Sequence, residues 1–276
     1  MRSSRRVNPV KRADEVEALC RAAEIVSGVH GELAPLIVPG GTTAELDRIA
    51  EEYIRDHGAE PAFKGYIMSD ETNPYPATLC TSANDVVVHG FPSTEPLNTG
   101  DVLSVDVGVR FEGFHGDCAA TYGVGEITPE DQHLLEVTIQ ALYAGIEAAV
   151  AGNWVFDIAR AVQQTAESAG FGVVRDLVGH GIGRSLHEDP AIPNFVPNPF
   201  ARHRYQNRKL EEGMVICIEP MITGGSYRVG TDEDEWTVRT VDRSHAAHFE
   251  HMVHIRSGEA EILTGHIVRP VATHSE

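Results

Sequence analysis

Residues 101–125 read DVLSVDVGVRFEGFHGDCAATYGVG. The apolar run around Val102–Val109 and the run closing on Tyr122 have strand character. Between them, VRFEGFHG is a hairpin turn region, with Gly113 and Gly116 as its turn-forming residues. Each expected strand carries one carboxylate, Asp106 on the first and Asp117 on the second. A carboxylate inside an apolar run is costly to bury unless something cationic neutralises it. On adjacent antiparallel strands, opposed residues lie about 5 Å apart, so both carboxylates could reach one pair of ions. Taken alone, either aspartate could equally be a turn or strand-end cap.

Three further positions repeat the anomaly. His180 lies in GHGIG (179–183), Glu219 in MVICIEPMI (214–222) and Glu250 in AAHFEHMVHI (246–255). None of these runs contains a lysine or arginine beside the acid. Glutamate buried within a strand is rare, whereas a lone histidine is more often structural than catalytic. The glycines around His180 allow close backbone approach. They are not a dinucleotide fingerprint, because no βαβ context follows. Four carboxylates cannot sit together ionised without added positive charge, and bound metal supplies it. One imidazole and four carboxylates form a hard, oxygen-rich set. It suits Mn, Fe, Co or Zn as two divalent ions, not a structural cysteine-type zinc.

The surrounding chain is organised twice over. Apolar residues at helical spacing predict a helix over 13–35. Thr42 and Glu45 form a capping box for a second helix that ends at Gly58. Strands then follow in TLCTS, DVVVHG and the 101–125 hairpin, while MSDETNPYP (68–76) reads as a polar surface loop. The order returns in the second half, with helices over 129–150 and 154–169 and a break at Gly170. Strand-like GVVRDLVGHG, GMVICIEPMI, WTVRTVD and AAHFEHMVHI complete it. Gly58 precedes Asp106 by 48 residues, and Gly170 precedes Glu219 by 49. An internal duplication would explain this and would put both carboxylate pairs at one central cleft. Chance resemblance of ordinary α+β elements is the alternative.

Composition bounds the function. The 276 residues suffice for a large core, and no run of about 18 apolar residues exists to span a membrane. The net charge is −19, from 41 acidic against 22 basic residues, with lysine only at positions 11, 64 and 209. That disfavours DNA and other phosphate backbones. It also matches a protein adapted to concentrated salt, where screening removes self-repulsion. Residues 1–12 are basic and read as a solvated tail, or as a weak nucleic-acid arm. Four cysteines without a CxxC pair fit reduced thiols in the cytoplasm.

The ordered segments VVHGFP, DVLSVDVGV, GFHGDCAATYGVG, GHGIGRSLHEDP, MVICIEPMI and HFEHMV resemble the type I methionine aminopeptidases of bacteria. The resemblance runs from about Val10 to Thr264. It implies the α+β pita-bread fold of the creatinase and aminopeptidase group, two pseudo-symmetric halves of antiparallel sheet with helices outside. One catalytic domain would cover 13–276, with halves near 13–125 and 126–265. It implies that Asp106, Asp117, His180, Glu219 and Glu250 ligate two divalent ions, and that Asp117 and Glu250 bridge them. His89 would contact the scissile amide and His187 the carbonyl oxygen. Phe63, Tyr66, Cys80 and Trp236 match positions lining the methionine side-chain pocket. The chain departs from the family pattern at 68–73, an insertion, and at His248, where glutamine is expected.

The implied activity is hydrolysis of the N-terminal methionine from nascent chains when the second residue is small. Glu219 would shuttle the proton. A cytoplasmic monomer, with transient ribosome contact, is the implied setting. The nearest rival is an Xaa-Pro aminopeptidase or dipeptidase of the same fold. Those enzymes carry an extra N-terminal domain, and here the first helix starts near residue 13. The 31 residues from Glu219 to Glu250 leave no room for the helical insertion of type II enzymes. A non-catalytic module of this fold would have lost ligands, and all five positions are present.

Overall fold

The computed structural model describes residues 9–67, 73–198 and 205–265. Residues 1–8 of the expected tail and 68–72 of the expected insertion lie outside the described residues.

The first half opens with α1 (Ala13–Leu33) and α2 (Thr43–Asp56), followed by β1 (Glu60–Pro61), β2 (Leu79–Ala83), β3 (Val86–Val88), β4 (Val102–Phe111) and β5 (Phe114–Gly123). Helix α1 ends in a 3-10 turn over Ala34–Leu36. It buries Leu19, Ala22, Ala23, Val26 and Val29 against β4 and β5. Gly116, expected to belong to the turn, lies instead inside β5 opposite Val109. A Cβ there would fall 2.6 Å from the Ala22 carbonyl oxygen, so this glycine serves close helix packing. The turn itself is Glu112-Gly113, both at positive φ, the geometry of a two-residue hairpin loop. At α2 only half of the expected capping box forms. Thr42 Oγ1 accepts from the Glu45 N–H at 3.3 Å, while the Glu45 carboxylate turns to Arg48.

The second half contains α3 (Pro129–Ala148), α4 (Val155–Ser168), β6 (Gly172–Val173), β7 (Gly179–Gly181), β8 (Glu188–Ile192) and β9 (Val215–Ile218). It continues with β10 (Met221–Thr223), β11 (Val229–Thr231), β12 (Val238–Thr240), β13 (Ala246–His248), β14 (His251–His254) and β15 (Glu261–Ile262). Thr128 caps α3 by accepting from the Asp131 N–H, with Pro129 in the first turn. Both α3 and α4 pack on the second-half strands.

Among the described residues all strand pairing is antiparallel. In one sheet β5 pairs along one edge of β4 while β2 and β1 pair along the other, and a five-stranded sheet runs β15-β14-β9-β7-β8. Two small sheets, β13-β10-β6 and β11-β12-β3, complete the set, and the latter joins β3 of the first half to β12 of the second. The halves also meet along the free edge of β5. There Ala119 bridges Glu250, and Thr121 Oγ1 accepts from the His248 N–H at 2.9 Å and donates to the His248 carbonyl at 2.7 Å.

Two residues expected at the surface are not there. Tyr75, in the segment read as a polar loop, is 2% exposed and donates its hydroxyl proton to carbonyls at Leu79 and Gly90. Lys11, within the expected solvated tail, is docked: its backbone N–H donates to the Gly213 carbonyl and its buried ammonium pairs with Glu188. An apolar environment around a charge is tolerable when a partner is also buried, and Glu188 is that partner.

Candidate metal centre and active site

The five expected ligands are delivered by two different devices. On the β4–β5 hairpin, Asp106 pairs with Ala119 and Asp117 with Gly108. The aspartates are therefore one pleat step apart on the same face, not directly opposed as the sequence suggested. Glu219 and Glu250 are opposed. The β9–β14 register (Ile218 with His251) continues unshifted into β10–β13 (Met221 with His248). That register puts Glu219 across from Glu250 and Pro220 across from Phe249.

Neither glutamate lies in a regular strand, contrary to the sequence expectation. Pro220 has no N–H to give to a ladder, so the paired strands part here. The Glu250 N–H faces the other way and donates to the Ala119 carbonyl at 2.9 Å, which fastens the break to β5. The proline thus converts one long pair of strands into a gap where carboxylates from both halves converge.

His180 comes from the short strand β7. A Cβ on Gly179 or Gly181 would lie 2.4 Å from a backbone carbonyl of a neighbouring strand, Cys217 or Asp189 respectively. The glycines let β7 nest between β8 and β9, as the GHGIG reading anticipated. His180 Nε2 stands 3.5 Å from Glu219 Oε1 and 3.7 Å from Asp117 Oδ2.

Donor atoms of Asp117, His180, Glu250 and Cys217 all lie within 4.8 Å of one another. Cys217 was not a sequence candidate. Its signal was present, since a strand places Cys217 and Glu219 on one face. Asp106 Oδ1, Asp117 Oδ1 and Glu250 Oε1 are buried without a hydrogen-bond partner. Orphaned carboxylate oxygens are expensive, and three of them at one place call for a cation. The donor chemistry and the spacing fit divalent metal.

The electrostatics say the same. Burial, and then the Glu250 charge, push Asp106 and Asp117 well above the ordinary carboxylate range. Glu250 is raised by burial and by Glu219, and burial lifts Glu219 to about 8. Burial holds His180 neutral, with its pKa down at about 3. A neutral imidazole is the form that ligates metal.

These residues line a cavity of about 650 Å³ that also contains the other six sequence candidates, His89, His187, Phe63, Tyr66, Cys80 and Trp236. His89 follows β3 at φ +59 and meets the Trp236 ring edge-on, 5.9 Å between centroids. Burial, with His248 and His187 nearby, lowers its pKa to about 4. His187 stands at the mouth, 4.4 Å from the His180 ring, and its Nδ1 lies 2.6 Å from the Tyr66 hydroxyl. Cys80 is opposite Asp106 on β2. Gly108, opposite Asp117, leaves room for the Phe63 ring, which a Cβ would meet at 2.4 Å. Tyr75, missed in the sequence, packs edge-on against Trp236 in the same wall. A tyrosine between prolines carries no pattern that would have marked it.

Carboxylates and a neutral imidazole around an oxygen-rich gap, under a half-apolar pocket, define a metal-dependent hydrolase site. Residues 17–257 match the model of metallopeptidase family M24, and the chain belongs to that family. More narrowly, it is 46% identical over 255 residues to the methionine aminopeptidase of Clostridium perfringens, covering 92% of this chain and 98% of that one. It is 44% identical to methionine aminopeptidase 1 of Bacillus subtilis, covering 91% and 96%. Among solved structures, the methionine aminopeptidase of Thermotoga maritima matches with a TM-score of 0.86 at 40% identity, over 93% and 99% of the chains. A prolidase from Pyrococcus furiosus shares the fold, with a TM-score of 0.74 at 23% identity, and this chain spans 65% of it. The pita-bread fold expected from the sequence is therefore the fold observed.

Proposed function

We propose that this chain is a metal-dependent aminopeptidase that removes N-terminal methionine from nascent polypeptides when the second residue is small. The observation that carries the reading is the convergence of orphaned Asp106, Asp117 and Glu250 oxygens beside His180, at the floor of a pocket with apolar walls. Asp106, Asp117, His180, Glu219 and Glu250 would hold two divalent ions, with Asp117 and Glu250 shared between them. Cobalt, manganese, iron and zinc all suit this set. When bound, such ions lower the pKa of water and polarise a carbonyl oxygen.

The chain's own residues supply orientation and proton handling. The Glu219 carboxylate, 13% exposed, takes a proton from the attacking water and passes it to the leaving amine. A Tyr66 hydroxyl donating to His187 Nδ1 keeps the other proton on Nε2, which faces the developing oxyanion as a donor. Neutral His89 holds the scissile amide. Phe63, Tyr66, Cys80 and Trp236, with Tyr75 behind them, accept the methionine side chain. Residues 13–276 act as one catalytic domain, with halves near 13–125 and 126–265. We place the activity in a cytoplasmic monomer that meets the ribosome transiently. Among the described residues no helix is long and apolar enough to cross a membrane.

Turnover of Met-Ala-Ser and Met-Leu-Ser by apo and metal-reconstituted protein tests this. Metal-dependent release of methionine from the first peptide alone is expected. Equal turnover of both removes the small-residue preference, and no release from either removes the activity.

A further inference from the structure

We infer that His248 is a second imidazole donor to the metal centre, serving one oxygen of Glu219 as His180 serves the other. This rests on the metallopeptidase reading above. Glu219 lies between two imidazoles. His180 Nε2 is 3.5 Å from its Oε1, and His248 Nε2 is 3.6 Å from its Oε2. A nitrogen and an oxygen 3.6 Å apart do not form a hydrogen bond. Two donors sharing one first-row ion, each about 2.0–2.2 Å from it at a wide tetrahedral angle, stand about 3.4–3.6 Å apart.

His248 Nε2 is also buried without a partner, and the residue is 2% exposed. An unpartnered buried ring nitrogen is costly, so an occupant is expected at that atom. The ring is aimed by a strand. His248 ends β13, and its N–H and carbonyl are both fastened to Thr121 Oγ1 of β5. The unshifted register across the Pro220 gap sets it beside Glu219 rather than away from it. Each oxygen of Glu219 then faces its own nitrogen, and the cluster offers two imidazoles in place of one.

The test uses cobalt(II) as the probe. Apo protein of the full chain is loaded with two equivalents, and imidazole scattering is counted by X-ray absorption at the cobalt edge. Isothermal titration gives the affinity for each equivalent. The wild type is expected to show one imidazole nitrogen per ion on average. His248→Gln should show one for every two ions and bind the second equivalent about 10- to 100-fold more weakly. A wild type with one imidazole for every two cobalt ions overturns the inference while leaving the metallopeptidase reading intact. Unchanged second-ion affinity in His248→Gln does the same. A chain that takes up no cobalt overturns both. The wild-type spectrum decides the matter even if the variant fails to fold.

Discussion

Glu219 has the most demanding position of any residue in the site. Its carboxylate is lifted to about 8 by burial alone, and both of its oxygens face imidazole nitrogens. In the proposed mechanism this carboxylate carries the proton from water to the leaving amine. Glu219→Gln keeps the volume and the strand break but removes the proton site. It should keep the circular dichroism of the wild type and lower kcat by about 10²–10⁴-fold on Met-Ala-Ser. An unimpaired kcat in the folded variant would falsify the proton-shuttle role. Its neighbour Pro220 was visible in the sequence as part of IEPMI, but its work was not. Only paired registers on both sides reveal that the proline opens a ladder for Glu219 and Glu250 together.

At the scale of elements, the site depends on glycines that let backbones touch. Gly116 is the clearest test, because α1 presses its own backbone onto β5 there. Gly116→Ala should shift the helix and cost about 1–3 kcal/mol, measured by urea denaturation. Gly31→Ala, on α1 with open space around its Cβ, is the control, and should be neutral or stabilising by about 0.5–1 kcal/mol. The helices and the β4–β5 hairpin were legible because their periodicities are local. The sequence spacing of Gly116 near a turn suggested the wrong job for it. Helix packing is a tertiary demand that leaves no periodic mark. The same holds for Lys11 and Tyr75, whose buried partners Glu188 and Gly90 are remote in the chain.

The whole molecule carries a charge problem that metal and salt would relieve. Raised carboxylates at Asp106, Asp117, Glu219 and Glu250 mean that the metal-free fold binds protons more tightly than the unfolded chain. Their contribution is full below the unfolded carboxylate range and is lost as pH rises through the folded values, about 8 for Glu219. Protein treated with EDTA should therefore lose thermal stability between about pH 5 and 8.5, and loading with manganese should flatten that slope. Parallel slopes with and without metal would remove the link between these carboxylates and the ions. A net charge of −19 adds diffuse repulsion outside the site. Raising KCl from 0.1 to 2 M should raise Tm, because the screening length falls from about 10 Å to under about 3 Å. Full stability at low salt would count against a high-salt adaptation.

By itself the sequence determined the helices and the doubled order of elements, and it singled out the acidic and imidazole groups as candidates for holding a cation. Those follow from periodicity and from the cost of burying charge, which a linear pattern displays. Only the tertiary structure decided how the groups meet. The two aspartates are diagonal, the two glutamates face each other across a proline break, and His248 and Cys217 stand inside the cluster. Strand register and the contact of one half with the other fix those positions, and both are set by pairing between residues far apart in the chain.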